Sequence, residues 1–130
     1  MTDFQNDSRI VFHTSLFNET RTFYEGILGV PILSEWDHGK VYKKGVVYRI
    51  GNLNVEFLEV DDKDKTTCNN AYLYIEIDDT PTLKTLRIML CKIDKGVTTI
   101  ESFPWGHTSF KSADPNNINL KFYTKETKDI

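Results

Sequence analysis

The sequence predicts an α+β fold made of two similar halves, each running strand, helix, strand, strand, strand. Three observations carry it. Apolar and polar residues alternate through short β-branched and aromatic stretches along most of the chain, which is the period of half-buried strands. Helical spacing occurs in one stretch of each half. Between the halves lies the charged run DDKDKTTCNN (61–70), close to the midpoint of the 130 residues, which reads as a solvated connector. Almost no identity relates the halves, so the repeat is one of structure.

The first half spans 9–60, after a tail at 1–8. RIVFHTS (9–15) reads as a strand. Asn18 is placed to cap a helix over Arg21 to Leu28, with Phe23, Ile27 and Leu28 on one face. Gly29 ends that helix in a left-handed conformation, and Pro31 bars its continuation. Strands are expected over 32–36, 46–50 and 54–60, with Gly51-Asn52 as the hairpin turn between the last two. The second half, 71–124, opens with a strand over 71–77. Thr80 is the expected N-cap of the next helix, with Pro81 at its first position, and the helix runs to about Lys92. Strands over 97–103, 108–112 and 118–124 complete this half, and 125–130 form a second tail. Cys91 is expected in the buried core, and Cys68, in the connector, is expected to be exposed.

Composition excludes several classes. Sixteen Lys and Arg against 19 Asp and Glu leave a net charge of −3 with no basic stripe, which argues against nucleic acid as a partner. No apolar run approaches the ~20 residues that span a bilayer, so no membrane role is expected. The polar start MTDFQNDSR is unlike a signal or transit peptide, and Cys68 and Cys91 make no CxxC motif, as expected of a cytoplasmic protein with reduced thiols. No two of His13, His38 and His107 stand at i, i+4, which excludes a helical zinc motif.

Two short signatures sit within this element order. Phe23-Tyr24 is followed by Leu28-Gly29 in the first half. Pro104-Trp105-Gly106 is followed by Asp114-Pro115-Asn116-Asn117 and a final strand in the second. Asp-Pro opens a turn, and Asn117 suits a left-handed position. In these features residues 9–124 resemble the vicinal oxygen chelate superfamily, which includes glyoxalase I, bleomycin-resistance proteins, fosfomycin-resistance enzymes and extradiol dioxygenases. The resemblance implies paired βαβββ modules, each curving a four-stranded mixed sheet, that together form a cup. Helices would cover the convex face and a ligand would sit on the concave one. It also implies a homodimer.

Strand alternation assigns the faces. Leu53, Val55, Phe57, Leu73, Ile75, Leu120 and Phe122 belong to the helix-covered sides, and Arg9, His13, Glu56, Tyr72, Tyr74, Glu76, Lys121 and Tyr123 to the opposite ones. Trp105 stands at the mouth of the implied cup, and Trp36 and Tyr48 are aromatics suited to stacking. In metal-using relatives four positions hold ligands, and here the resemblance puts them at Arg9, Glu56, Tyr72 and Lys121. Only Glu56 could coordinate in the usual way, since a guanidinium and a protonated amine offer no lone pair. No metal and no cofactor are therefore expected. Arg9 and Lys121, with Glu56 between them, would either plug the cup or grip a carboxylate or phosphate.

The sequence thus points to a metal-free protein that binds a small organic molecule, in resistance or sequestration. Its expected ligand-binding residues are Arg9, His13, Tyr48, Glu56, Tyr72, Tyr74, Trp105, Lys121 and Tyr123. One alternative is a lyase, isomerase or dioxygenase of the same superfamily, with Glu56 or His13 as catalytic base and Arg9 and Lys121 stabilising an enolate-like anion. Another is a structural or regulatory partner-binding domain with a filled cup.

Overall fold

Each half folds as a strand, a helical segment and three further strands in the computed structural model of the chain, which describes residues 1–39, 43–67, 70–94 and 96–125. The chain divides into two units, Met1–Thr66 and Thr67–Ile130. Cys68 lies outside the described residues.

The first unit contains β1 (Ile10–Thr14), α1 (Phe17–Arg21), a π-helical segment (Thr22–Ile27), β2 (Ile32–Asp37), β3 (Lys44–Ile50), β4 (Leu53–Glu59) and a 3-10 turn (Asp62–Asp64). The strand order is β1-β4-β3-β2. β1 runs parallel to β4, and the other two pairings are antiparallel. The register sets Phe12 opposite Phe57, Phe57 opposite Val46, and Val55 opposite Tyr48. These side chains are all buried, with Tyr24, Phe23 and Phe17. Tyr24 stacks on Tyr48 at 5.4 Å and lies 5.0 Å from Phe57, ring centre to ring centre. At the β3–β4 turn Gly51 takes φ +62°, as the first central residue of a II′-type hairpin demands.

The first helix departs from expectation in two ways. It starts before Asn18, because the strand-end Thr14 accepts the Leu16 N–H on its Oγ (2.9 Å). Leu16 is the N-cap residue, without a side-chain cap of its own. The helix then widens over Thr22–Ile27, where the Leu28 N–H reaches Phe23 O at 3.0 Å. That i→i+5 bonding adds a residue to the turn. The buried face becomes Phe17, Thr20, Phe23 and Tyr24; Phe23 is as expected, whereas Ile27 and Leu28 are only half-buried. Gly29 ends the segment at φ +67°, the left-handed stop the sequence predicts. Asn54 on β4 is buried, and its amide donates to Asn6 O (2.6 Å) and Ser8 O (3.1 Å), which ties the N-terminal tail to the sheet.

The second unit repeats the plan with β5 (Tyr72–Glu76), α2 (Thr80–Cys91), β6 (Glu101–Ser102), β7 (Thr108–Ala113) and β8 (Asn119–Thr124). The order is β5-β8-β7-β6, with β5 parallel to β8. Leu83 and Leu90 of α2 are buried, as are Leu73, Ile75, Phe110, Leu120 and Phe122 of the sheet. The cap of α2 is Asp79 rather than Thr80. Its carboxylate accepts the Thr82 N–H at 2.9 Å. The Thr82 side chain and backbone hold the Asp79 carboxyl below the usual range. Cys91 is exposed, contrary to expectation, because Leu83 and Leu90 set the inward stripe and Cys91 falls off it. The strand expected over 97–103 is regular only at Glu101–Ser102. Thr98 still bonds to Lys111, through its N–H (3.0 Å) and its Oγ (2.9 Å). The Asp-Pro turn forms as predicted. Asp114 Oδ1 accepts the N–H groups of Asn116 (2.7 Å) and Ile118 (3.0 Å), and Asn117 takes φ +61°.

Candidate functional site

The sheet of each unit has one face turned away from its helix, and the predicted site residues on or next to the strands fall on these faces with one exception, while Trp105 lies in the turn between β6 and β7. In the first unit Glu56 sits between Val11 and Val47 in register. Arg9, just before β1, reaches it with Nη1 at 3.4 Å from Oε1, and Nη2 lies 3.6 Å from Asp7 Oδ2. The Arg9–Glu56 pair expected from the sequence thus forms. Lys121, the third expected member, makes its described contacts within the second unit. His13 is half-buried opposite Leu58, and its N–H donates to Thr66 Oγ at 2.8 Å. Trp36 pairs with Gly45, and its indole lies so close over that glycine that a Cβ there would clash with the six-membered ring.

Tyr48 is the exception. It is fully buried on the helix-covered face, and its hydroxyl donates to Glu25 Oε2 at 2.7 Å. Arg21 completes the cluster, with Nε 2.6 Å from Glu25 Oε2 and Nη1 3.1 Å from Glu35 Oε1. Burial pushes the Tyr48 phenol well up, and the Glu25 carboxylate beside it adds to that. Burial also pushes the Glu25 carboxyl up, but the bonds from Arg21 and Tyr48 outweigh it and leave it below its ordinary range. The hydrogen bond to Glu25 raises Arg21 further still. Tyr48 therefore holds the helix to the sheet and offers nothing to a ligand.

The second unit gathers the rings. Tyr74 on β5 and Tyr123 on β8 stack at 4.2 Å and 11°. His107, after the Trp105-Gly106 turn, stacks on the Tyr123 ring at 4.4 Å and 25°. Its Nδ1 meets the Tyr74 hydroxyl at 2.9 Å. This bond locks the imidazole in place, and the three rings make a preformed aromatic surface. Lys121 Nζ lies 5.5 Å from the Tyr74 ring centre and 5.0 Å from that of Phe103. Lys111, directly opposite Lys121 in register, lies 5.5 Å over Tyr72. Both are cation–π contacts. Trp105 stacks on Phe103 at 4.8 Å and is 62% exposed. Sequence reasoning missed Lys111, Phe103 and the part of His107 in the ring cluster. Alternation along β7, which sets Ser109 and Lys111 against Thr108, Phe110 and Ser112, carries the signal for Lys111.

The residues do not fit a divalent ion. Of the four positions the resemblance assigns to ligands, Arg9 is a guanidinium already bound to Glu56, and Lys121 is an ammonium held over rings. Among the described residues no group of three or more His, Cys, Asp or Glu side chains comes together to hold a metal.

No family model matches the chain, and no curated protein matches it in sequence. Solved structures do match it in fold. A glyoxylase/bleomycin resistance protein/dioxygenase domain from Frankia sp. EAN1pec superposes with a TM-score of 0.72 at 17% identity, over 94% of this chain and 98% of that one. The fosfomycin resistance protein FosX from Listeria monocytogenes, in a variant complexed with Mn(II) and a dihydroxypropylphosphonic acid, gives 0.73 at 14% identity, over 95% and 93%. A lactoylglutathione lyase from Agrobacterium tumefaciens gives 0.64 at 11% identity, over 89% and 90%. The chain has the fold of the vicinal oxygen chelate superfamily.

Proposed function

We propose, with that shared fold as premise, that the chain binds a small organic molecule without a metal ion, on the ring-bearing face of its second unit. The observation that carries this is the Tyr74–Tyr123–His107 stack beside an ammonium, Lys121, that has no carboxylate partner among the described residues. Such a surface takes a planar group by stacking and a negative group by charge. Arg9 and Glu56 satisfy each other, so Glu56 is held as a structural carboxylate rather than a free base, which weighs against the lyase or isomerase alternative. Binding for sequestration or resistance is the activity this supports. The resemblance alone supports a cytoplasmic homodimer, which sedimentation of the purified protein checks.

A thermal-shift screen of planar aromatic acids, with elemental analysis of the same protein, tests the proposal. A ligand at ~100 times its Kd adds about 2.7 kcal/mol, a rise of about 8 °C for a chain of this size. That rise is expected to disappear in Tyr123→Ala and His107→Ala. Stoichiometric Mn, Zn, Ni or Fe would refute the metal-free part. Ligand shifts unchanged in both variants would refute the site.

A further inference from the structure

We infer that the second unit carries a subsite for a small oxyanion, a carboxylate or a phosphate-type group, formed by Lys111 and Lys121 together with Ser109. This rests on the binding role proposed above and gives it a ligand class.

Lys111 on β7 and Lys121 on β8 are directly opposed in an antiparallel pair, which brings their Cβ atoms to about 5 Å. Like charges so placed repel, and sheets ordinarily avoid them. No carboxylate lies within ion-pairing distance of either ammonium among the described residues, whereas Lys65 and Lys125 have Asp62 and Glu76. The two ammoniums are held instead over Tyr72, Tyr74 and Phe103. A ring face attracts a cation without neutralising it, so both charges stay available.

Both lysines line a cavity of about 200 Å³, whose other walls include Thr99, Glu101, Phe103 and Ser109. Ser109 supplies the second observation. It is 2% exposed, it borders the cavity, and its hydroxyl makes no hydrogen bond with the described residues. Its oxygen is not among the buried polar atoms left unsatisfied, so it is reached from the cavity side, where it has a free donor to offer. An oxyanion bridging the ammoniums would accept from this hydroxyl and cancel the repulsion across the strands. Glu101 in the same wall would repel a second negative charge, which favours a ligand that presents a donor beside its oxyanion.

Melting temperatures in inorganic phosphate, in acetate and in chloride at matched ionic strength test the subsite. At ~10 times its Kd an anion that binds the folded state is expected to raise the melting temperature by about 4 °C over chloride. A rise with phosphate points to a tetrahedral anion, and a rise with acetate to a carboxylate. Either must vanish in Lys111→Gln and Lys121→Gln. Lys111 is exposed, so its replacement leaves the core intact. Amide shifts of the wild-type chain under the same titration should move at Ser109, Lys111 and Lys121. No rise with either anion, a rise that survives both substitutions, or shifts centred elsewhere would overturn the inference. An aromatic acid ester that still binds wild type while neither anion acts would overturn the subsite and leave the aromatic face standing.

Discussion

Replacing Tyr48 by Phe removes one oxygen from the buried side of the first sheet and nothing else. The lost bond is the 2.7 Å donation to Glu25 Oε2, and hydrogen bonds to charged groups contribute about 1.5–3 kcal/mol. The carboxylate keeps Arg21, so Tyr48→Phe is expected to cost about 2 kcal/mol. Glu25→Ala removes the acceptor instead and leaves a fully buried phenol O–H with nothing to donate to, at about 1–3 kcal/mol for the stranded donor. The partly exposed pair with Arg21 adds at most about 1 kcal/mol, for a total near 3 kcal/mol. The double variant strands no donor and should cost no more than Glu25→Ala alone, against about 5 kcal/mol for the two single costs added, so the coupling is at least about 2 kcal/mol. Urea denaturation of the four proteins measures it. Additive costs, or a Tyr48→Phe penalty above that of Glu25→Ala, would refute the account of this cluster. A loss of ligand affinity in Tyr48→Phe with unchanged stability would return Tyr48 to the site.

The same cluster predicts a pH dependence. The folded Glu25 carboxyl lies below its ordinary value, so its contribution is complete above the unfolded pKa of ~4.3 and is lost as pH falls through the lower folded value. The stability gap between wild type and Glu25→Gln should therefore narrow on acidification below pH ~4. Gly45→Ala drives a methyl into the Trp36 ring and should cost about 1–3 kcal/mol, with a change in tryptophan emission. Asn117, at φ +61°, should accept Gly without loss, whereas Asn117→Ala costs about 1 kcal/mol. Asp79→Ala should lower the melting temperature more than Thr80→Ala, since Asp79 accepts the Thr82 N–H.

How far the sequence is legible depends on how one-sided the burial is. β5 and β8 bury alternate residues, so parity alone separates Leu73 and Ile75 from Tyr72 and Tyr74. Parity also places Tyr48 with Val46 and Ile50, all buried. The ring chemistry of Tyr48, which suits stacking on a ligand, points the other way and is outweighed by that parity. The first helix is illegible at a period of 3.6, because its second turn is wide and because its cap comes from Thr14 on the preceding strand. At α2 two capping residues, Asp79 and Thr80, stand side by side, and only the backbone decides between them. Cation–π partners such as Lys111 and Tyr72 come from different strands, and their meeting depends on register.

The two units treat the same kind of face differently, and the difference bears on what the protein does. In the first, the Arg9 guanidinium is answered by Glu56 and Asp7, while Arg49, which shares the parity of Val47 on β3, donates from Nε to Gly51 O at 3.2 Å. A partly exposed pair of that kind contributes up to about 1 kcal/mol, and it leaves Arg9 no unanswered charge for a ligand to meet. In the second, two ammoniums are answered only by rings, at about 0.5–1 kcal/mol each, and their charge remains unspent. An incoming anion would meet unanswered ammoniums on the second face, with Glu101 beside them, whereas at Arg9 it must displace Glu56. On the proposed reading, charge selection belongs to Lys111 and Lys121, and recognition of planar groups to Tyr74, Tyr123 and His107 beside them.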